Sequence, residues 1–241
     1  MTGVTALVRA TASQMETDGI LTPATDVGPV LRDADITHIS NEVAFAEDCP
    51  EPNPVGGTTF CSQDEYFALL EDIGTDVVEL TGNHLNDWGP QSVRHTLEMY
   101  EASNMITFGG GLNLQDATQP ALFEHNGNKI AFVGCNPVGP NYAWAGTNNP
   151  GSQPCGPGFE QQIRDLAAQG YLVIATQQYY EFYHYEATGL QEEDFRALID
   201  AGAAAVSGSQ GHHAQGFDFH NNAFIHYGLG NLFFDQMDML G

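Results

Sequence analysis

The sequence predicts a single α/β domain, and two observations support this. Short apolar runs typical of β-strands alternate along the chain with amphipathic segments typical of helices, which is the pattern of sheets flanked by helices. The chain has 241 residues and 42% of them are hydrophobic, enough for a large core. Neither an internal repeat nor a linker interrupts the pattern. We therefore assign residues 1–241 to one domain.

The predicted elements follow one another in a regular order. A helix over 62–74 begins with the pattern of a capping box, because Ser62 and Glu65 lie three residues apart. A hairpin over 121–135 turns at Asn126-Gly127-Asn128, a strong turn signal. The other helices are predicted at 89–104, 158–170 and 190–202. The other strands are predicted at 33–40, 76–80, 171–178, 203–209 and 222–231.

The charge of the chain excludes several classes of partner. The sequence has 31 acidic and six basic residues, a formal net charge of −25. Nucleic acids and anionic membranes are bound through Lys and Arg, so neither is an expected partner. No apolar run reaches the roughly 18 residues of a membrane-spanning helix, and the N terminus lacks the pattern of a signal peptide. The scattered acids predict a solvated acidic surface, which salt would screen.

The four cysteines lie in two pairs, and each pair flanks a long loop rich in Pro, Gly and Asn. Cys49 and Cys61 bound the first loop, and Cys135 and Cys155 bound the second. The absence of a Cys-x-x-Cys pair argues against a zinc knuckle. These positions favour two disulfides and an extracytoplasmic or cell-envelope location. Four reduced, partly buried thiols are the alternative.

Polar side chains gather directly after four of the predicted strands. They are Asn41-Glu42, Asn83-His84, Gln177-Gln178 and the segment 210–213. In open α/β sheets, binding sites form at the carboxyl ends of the strands. Four such groups after four strands predict a site at this edge, whereas one group alone would be ordinary loop polarity.

Five blocks of sequence, in this order, resemble the CapA/PgsA family of capsule and poly-γ-glutamate biosynthesis proteins, which belongs to the calcineurin-like metallophosphoesterase superfamily. The most specific block is TGNHLNDWG, similar to the family's Asn-His-x-x-Asp-x-Gly pattern. The resemblance implies a metallophosphoesterase-like α/β/β/α sandwich. Because only two residues precede the first family block, we expect either a shortened first strand or a chain truncated at both ends. The five blocks are ISNEV (39–43), TGNHLNDWG (81–89), TQQYYEFY (176–183), GSQGHHAQ (208–215) and HYGLGNLFFD (226–235).

The resemblance also implies a metal centre, but several of its ligands are replaced. Val4 stands where the family has an aspartate after the first strand, and Gln177 and Gln210 stand where it has histidines. A two-metal centre needs several carboxylates and imidazoles, and amide oxygens are weak ligands for transition metals. We therefore expect at most one divalent ion (Mn, Zn, Mg or Fe) and no dinuclear centre. The remaining candidate ligands are Glu42, Asn83 and His212.

Three residues are candidates for catalysis. The resemblance implies that His84 protonates or orients a leaving group, a role that suits its near-neutral pKa, although a histidine that caps the turn is the alternative. Glu42 is a candidate general base, with a solvated acid as the alternative. Asp87 is a candidate to orient His84, with an N-terminal cap of the next helix as the alternative.

Six residues are candidates for substrate binding. The alternative role of Asn83 is that of a left-handed turn residue. The alternative role of Glu181 is that of a solvated acid in an aromatic segment. The histidines without motif support, His95 and His125 among them, are interpreted as structural or surface residues. The substrate-binding candidates are Asn41, Asn83, Gln177, Glu181, Gln210 and Gln215.

The sequence leaves two main functional hypotheses open. The first is a hydrolase at the cell envelope, which acts on a phosphate ester or on an acidic, poly-glutamate-like polymer. The second is a non-catalytic protein that binds such a polymer or an assembly partner in the same cleft. Val4, Gln177 and Gln210 favour the second, whereas Glu42 and His84 favour chemistry, including metal-free acid–base hydrolysis.

Overall fold

Two β-sheets form the centre of the computed structural model, which describes residues 1–236. The larger strands of the fold alternate with helices, as the sequence predicts, whereas several short strands have no clear signal in the sequence. The strands are β1 (Val4–Thr5), β2 (His38–Asn41), β3 (Val77–Glu79), β4 (Ile106–Phe108), β5 (Gly110–Gly111), β6 (Ala121–His125), β7 (Asn128–Cys135), β8 (Gly151–Ser152), β9 (Leu172–Gln178), β10 (Ala203–Ser209), β11 (Phe217–His220), β12 (Ala223–His226) and β13 (Asn231–Phe233).

The strand order places the central strands of both sheets in parallel. One sheet has the order β13-β1-β2-β3-β4, and the other has the order β11-β12-β10-β9-β7-β6. All neighbours in the first sheet are parallel, and β7, β9, β10 and β12 are parallel in the second. The strand β1 has only two residues.

Helices cover the outer face of each sheet. The helices α1, α3 and α4 bury residues such as Met15, Leu70 and Tyr100 in a core with the first sheet. The helices α6 and α7 bury residues such as Ile163 and Phe195 against the second sheet. The helices are α1 (Arg9–Asp18), α2 (Gly28–Arg32), α3 (Phe67–Asp72), α4 (Pro90–Ala102), α5 (Leu114–Ala117), α6 (Pro157–Ala168) and α7 (Gly189–Asp200).

The inner faces of the two sheets pack directly on each other. The rings of Phe108 on β4 and Phe132 on β7 lie 5.8 Å apart, and His38 on β2 stacks on Phe132 at 6.0 Å. Val77 and Ala121 complete this inner cluster. The order of layers is therefore helices, sheet, sheet, helices, and the expected α/β/β/α sandwich is confirmed. Residues 237–241 of the predicted domain lie outside the described residues.

Two local predictions have different outcomes. The hairpin is confirmed, because β6 and β7 pair antiparallel and Asn126 and Gly127 both have positive φ, as a tight hairpin turn requires. The capping box is wrong. The hydroxyl of Ser62 donates to the carbonyl of Leu7 at 3.1 Å, and the segment begins with a 3-10 turn over Asp64–Tyr66. Ser62 therefore makes a tertiary hydrogen bond instead of the helix cap that the local pattern predicts.

Two disulfides close the loops that the cysteine positions predict. Cys49 pairs with Cys61 across 12 residues, and Cys135 pairs with Cys155 across 20. The second bridge ties the end of β7 to the loop that leads into α6. Both predicted bridges are confirmed, and each shortens a loop near the carboxyl ends of the strands.

Removal of the Cys135–Cys155 bridge should destabilise the protein. A double substitution to serine releases a loop closed over 20 residues, and loops of this length give about 3 kcal/mol in the chain-entropy account. Urea unfolding of the oxidised protein and of the double variant measures this difference. A loss well under about 1 kcal/mol, or four titratable thiols in protein made under oxidising conditions, would contradict the assignment.

Candidate functional site

A buried carboxylate lies at the point where the two sheets meet. Glu42 follows β2 directly and its residue is only 1% exposed. Its Oε1 accepts a hydrogen bond of 2.6 Å from Nε2 of Gln178, the last residue of β9 in the other sheet. A buried carboxylate is costly unless a donor compensates it. This hydrogen bond therefore joins the carboxyl ends of the two sheets.

The amide of Gln178 has further partners. Its Nε2 also donates to Oδ1 of Asn83 at 3.1 Å and to Oε1 of Gln210. Its own Oε1 accepts from the hydroxyl of Ser209 at 2.7 Å. We call Glu42, Asn83, Gln178, Ser209 and Gln210 the amide network.

His84 forms a pair with Asp87 beside the amide network. Nδ1 of His84 lies 2.7 Å from Oδ2 of Asp87, and the same oxygen accepts from the backbone N–H of Phe60 at 3.0 Å. Because a carboxylate only accepts, Nδ1 carries the proton and Nε2 is the nitrogen left for a substrate. Asp87 does not cap α4, which begins after Gly89 without a side-chain cap. The predicted orienting contact is therefore present, and the helix-cap alternative is wrong.

The charges around His84 favour its protonated form. Burial lowers the pKa of His84, but the hydrogen bond with Asp87 and the negative charges of Glu42, Asp87 and Glu181 raise it by more. The net pKa of His84 lies above its usual value. Three acidic residues thus act on one imidazole, and each of them favours its protonated form.

A close backbone approach explains the glycine of the segment TGNHLNDWG. A Cβ atom on Gly82 would lie 2.5 Å from Cα of Glu42, far inside van der Waals contact. Leu85 is buried in the core behind the turn and anchors it. Gly82 therefore lets the end of β3 pass against Glu42, and this places Asn83 and His84 at the amide network.

A second histidine–carboxylate pair lies beside the ring of Phe234, and we call the amide network together with the two pairs the cleft. Nε2 of His212 is 3.6 Å from Oε1 of Glu181, and Nδ1 of His212 is 3.0 Å from Oδ1 of Asn231. His212 is buried, whereas Glu181 is partly exposed and also accepts from Gln236 at 2.6 Å. The structure thus places both predicted residues at the cleft.

Comparison with known proteins assigns the family. The family model described as bacterial capsule synthesis protein PGA_cap matches residues 1–236. The chain belongs to this family. The PGA biosynthesis protein CapA of Bacillus subtilis (strain 168) is 29% identical over 174 residues, which are 71% of this chain and 46% of that protein. The capsule biosynthesis protein CapA of Bacillus anthracis is 27% identical over 180 residues, 73% of this chain and 44% of that protein.

This PGA_cap chain therefore spans less than half the length of these two curated relatives. A solved structure of a hypothetical protein from Thermus thermophilus matches the fold with a TM-score of 0.50 and 14% identity, covering 88% of this chain and 71% of that one. That similarity shows the fold alone. Among residues 1–236, the helices are all too short or too polar to cross a bilayer.

An apolar wall occupies the side of the cleft where the sequence resemblance implies the missing aspartate. Val4 is fully buried there and packs with Val43, Phe60 and Phe234. The ring of Phe60 lies 4.5 Å from that of His84, and the ring of Phe234 lies 5.3 Å from that of His212. This PGA_cap cleft does not fit a two-metal centre, because aromatic and aliphatic side chains stand beside both histidines in place of further anionic ligands.

Three of the predicted substrate-binding residues lie elsewhere. Asn41 is buried against α4, where its amide donates to Tyr100 at 2.7 Å. Nε2 of Gln177 lies 3.8 Å from each sulfur of the Cys135–Cys155 bridge. Gln215 donates to the carbonyl of His184 at 2.9 Å and accepts from Gln191 at 3.0 Å. These side chains are held by contacts outside the amide network, and their part in substrate binding stays a prediction.

Sequence reasoning missed two features of the molecule. Gln178 is in the amide network, although the motif comparison pointed to its neighbour, which faces the other way along the strand. Ligand atoms of Glu47, Asp64 and His95 lie within 4.8 Å of one another and could hold a metal ion. These three residues come from a loop, a 3-10 turn and α4, so no spacing in the sequence connects them. None of them belongs to the cleft.

Substitution of Asp87 by asparagine should lower the pKa of His84, because the hydrogen bond to a charged partner is lost. An NMR titration of the His84 ring measures this directly. Protonation of His84 stabilises the native fold fully below about pH 6.5 and stops doing so as pH rises through the raised pKa. The matched control is Asp64→Asn, which removes the partner of His95 instead. An unchanged His84 titration in Asp87→Asn would contradict the assignment.

Substitution of Gly82 by alanine should destabilise the protein by about 1–3 kcal/mol, the usual cost of forcing an extra group into a packed site. The control is Gly158→Ala in α6, where a Cβ would meet no atom within 4 Å. Urea unfolding compares the two variants. Equal stability of Gly82→Ala and the native protein would refute the close approach to Glu42.

Proposed function

We propose that this chain is an envelope-associated hydrolase that acts on an acidic, poly-glutamate-like polymer or on a phosphate ester. The observation that carries the proposal is the pair of His84 and Asp87 beside buried Glu42. A histidine with a raised pKa, oriented by a carboxylate, is suited to donate a proton to a leaving group. The names of the CapA relatives support a role in capsule or PGA biosynthesis.

The roles of the residues follow from their positions. Asp87 holds the proton on Nδ1 of His84, so that Nε2 of the charged ring gives its proton to the departing oxygen or nitrogen. Glu42 accepts a proton from the attacking water, which then forms the new bond to the carbonyl carbon or phosphorus. The hydrogen bond from Gln178 keeps one oxygen of Glu42 fixed during this transfer. No step in this sequence is assigned to a metal ion.

Arg9 supports a substrate with negative charge. Its guanidinium lies 4.7 Å from the ring centre of Phe234 and 5.4 Å from that of Phe60, on the wall beside both histidines. It pairs with Asp235 at 3.0 Å, so its charge is partly balanced. In a chain with a net charge of −25, this is a local positive group beside the cleft that a carboxylate or phosphate could approach.

The location proposed for the chain is extracytoplasmic or at the cell envelope. Two disulfides support it, because such bridges persist in oxidising compartments. The role of the capsule biosynthesis relatives points the same way. The single divalent ion that the sequence predicts for Glu42, Asn83 and His212 is untested, and the hydrogen bonds from Gln178 to Glu42 and Asn83 compete with it.

One observation favours a second function, the binding of an acidic polymer without catalysis. The amide network already satisfies Glu42, and Val4 belongs to an apolar wall where the sequence resemblance implies a ligand. A cleft of this kind could hold a polymer or an assembly partner for capsule synthesis. The two proposals differ in whether His84 is needed for turnover or only for affinity.

Substitution of His84 by alanine should lower turnover by about 100-fold or more, the usual contribution of a general acid. The first substrate is poly-γ-glutamate, whose hydrolysis is measured by the release of new amino groups. The second is bis-p-nitrophenyl phosphate, whose hydrolysis is measured by the absorbance of the coloured product. The matched control is His125→Ala, because His125 pairs with Asp35 at the exposed end of a hairpin. Equal turnover by native protein and His84→Ala would refute the hydrolase. Poly-γ-glutamate binding without turnover by native protein would favour the second function.

A further inference from the structure

We infer that the side-chain amide of Gln178 takes the structural place of a metal ion in this cleft. Three oxygen atoms converge on its Nε2: Oε1 of Glu42, Oδ1 of Asn83 and Oε1 of Gln210. A carboxylate and two carbonyl-type oxygens around one point resemble the ligand shell of a hard cation. Here an NH₂ group occupies that point, so Gln178 is a positioning residue for Glu42 and Asn83.

The orientation of the amide is fixed from both ends. Glu42, when ionised, can only accept hydrogen bonds, so the nitrogen of Gln178 must face it. The oxygen of Gln178 accepts from Ser209, the last residue of β10, at 2.7 Å. Gln178 and Ser209 are also paired in register between β9 and β10. The two N–H groups of the amide are shared among three oxygen acceptors, and these partners together set the rotation of the side chain.

The surroundings make a neutral donor the better partner for Glu42. The apolar wall of Val4, Val43, Phe60 and Phe234 replaces the further anionic ligands that a doubly charged ion would need. An ion held by one carboxylate and two amide oxygens would be poorly neutralised, since amide oxygens carry no formal charge. An amide N–H compensates Glu42 without bringing a second charge into the buried site.

The consequence is a cleft that is organised before any cation binds. Glu42 and Asn83 follow different strands of the first sheet, and Gln178 holds both from the second sheet. This inference builds on the proposed function because it concerns the same cleft. The test of this inference measures cation-dependent stability and not turnover. A failure of the inference therefore does not imply a failure of the proposed function, and the reverse also holds.

The test is a change of Gln178 to glutamate, with melting temperatures measured in EDTA and in millimolar Mg²⁺, Mn²⁺ or Ca²⁺. Every protein carries His95→Ala, which removes one ligand of the separate group formed with Glu47 and Asp64. In Gln178→Glu, two carboxylates face each other and the donor is lost. We expect a fall of at least about 4 °C in EDTA, a size typical of one lost buried interaction in a domain of this length. A divalent ion should reverse it.

The matched control is Gln177→Glu, the neighbouring buried glutamine whose amide faces the disulfide. We expect Gln177→Glu to lose stability and to recover it in no cation. We expect the protein with Gln178 intact to have the same melting temperature in EDTA and in each cation. Two results would overturn the inference: cation stabilisation of the protein with Gln178 intact equal to that of Gln178→Glu, or a failure of every cation to rescue Gln178→Glu.

A second measurement does not depend on whether a variant of the cleft folds. Mn²⁺ is added to ¹⁵N-labelled protein with Gln178 intact and His95→Ala in place, and the side-chain signals of Gln178 and His84 are followed by NMR. Paramagnetic Mn²⁺ broadens the signals of nuclei near its binding site. We expect both signals to keep their intensity at a metal concentration equal to that of the protein. Selective loss of these signals would mean that the ion displaces the amide, and the inference would be wrong.

Discussion

The hydrogen bond between Gln178 and Glu42 is the constraint on which the rest of the cleft depends. It joins the carboxyl ends of two sheets whose inner faces also pack through apolar contacts such as Phe108 on Phe132. A carboxylate as buried as Glu42 would be costly without a donor that compensates its charge. The same amide fixes Asn83, and the turn that follows brings His84 to Asp87. The geometry of the proposed catalytic residues and the packing of the two sheets therefore depend on the same contact.

The departures from the family pattern are consistent with one another. By the sequence resemblance, Val4 stands in place of an acid and Gln210 in place of a histidine, and the amide of Gln178 lies between the remaining oxygens. All three reduce the charge that a metal centre would need. The aromatic rings of Phe60 and Phe234 stand beside the two histidines. Proton transfer by His84 and Glu42 remains chemically possible in such a site.

The sequence predicted the layers, the long strands, both disulfides and the block around His84, because these have periodic or motif signals. It did not predict which of two adjacent glutamines faces the cleft. Neighbouring side chains of a strand point to opposite faces, so an error of one position exchanges Gln177 for Gln178. Asn41 and Gln215 carry motif matches, but their side chains are taken by tertiary contacts with Tyr100, Gln191 and the backbone. The group of Glu47, Asp64 and His95 arises only from packing.

Anomalous X-ray diffraction from crystals soaked in MnCl₂ tests most directly whether the amide of Gln178 occupies the place of a cation. It locates each bound ion, and so it separates the cleft from the group of Glu47, Asp64 and His95. We expect no anomalous peak between Glu42, Asn83 and Gln210, where the amide nitrogen of Gln178 lies. A well-occupied peak at that point, with the Gln178 side chain turned away, would contradict this expectation.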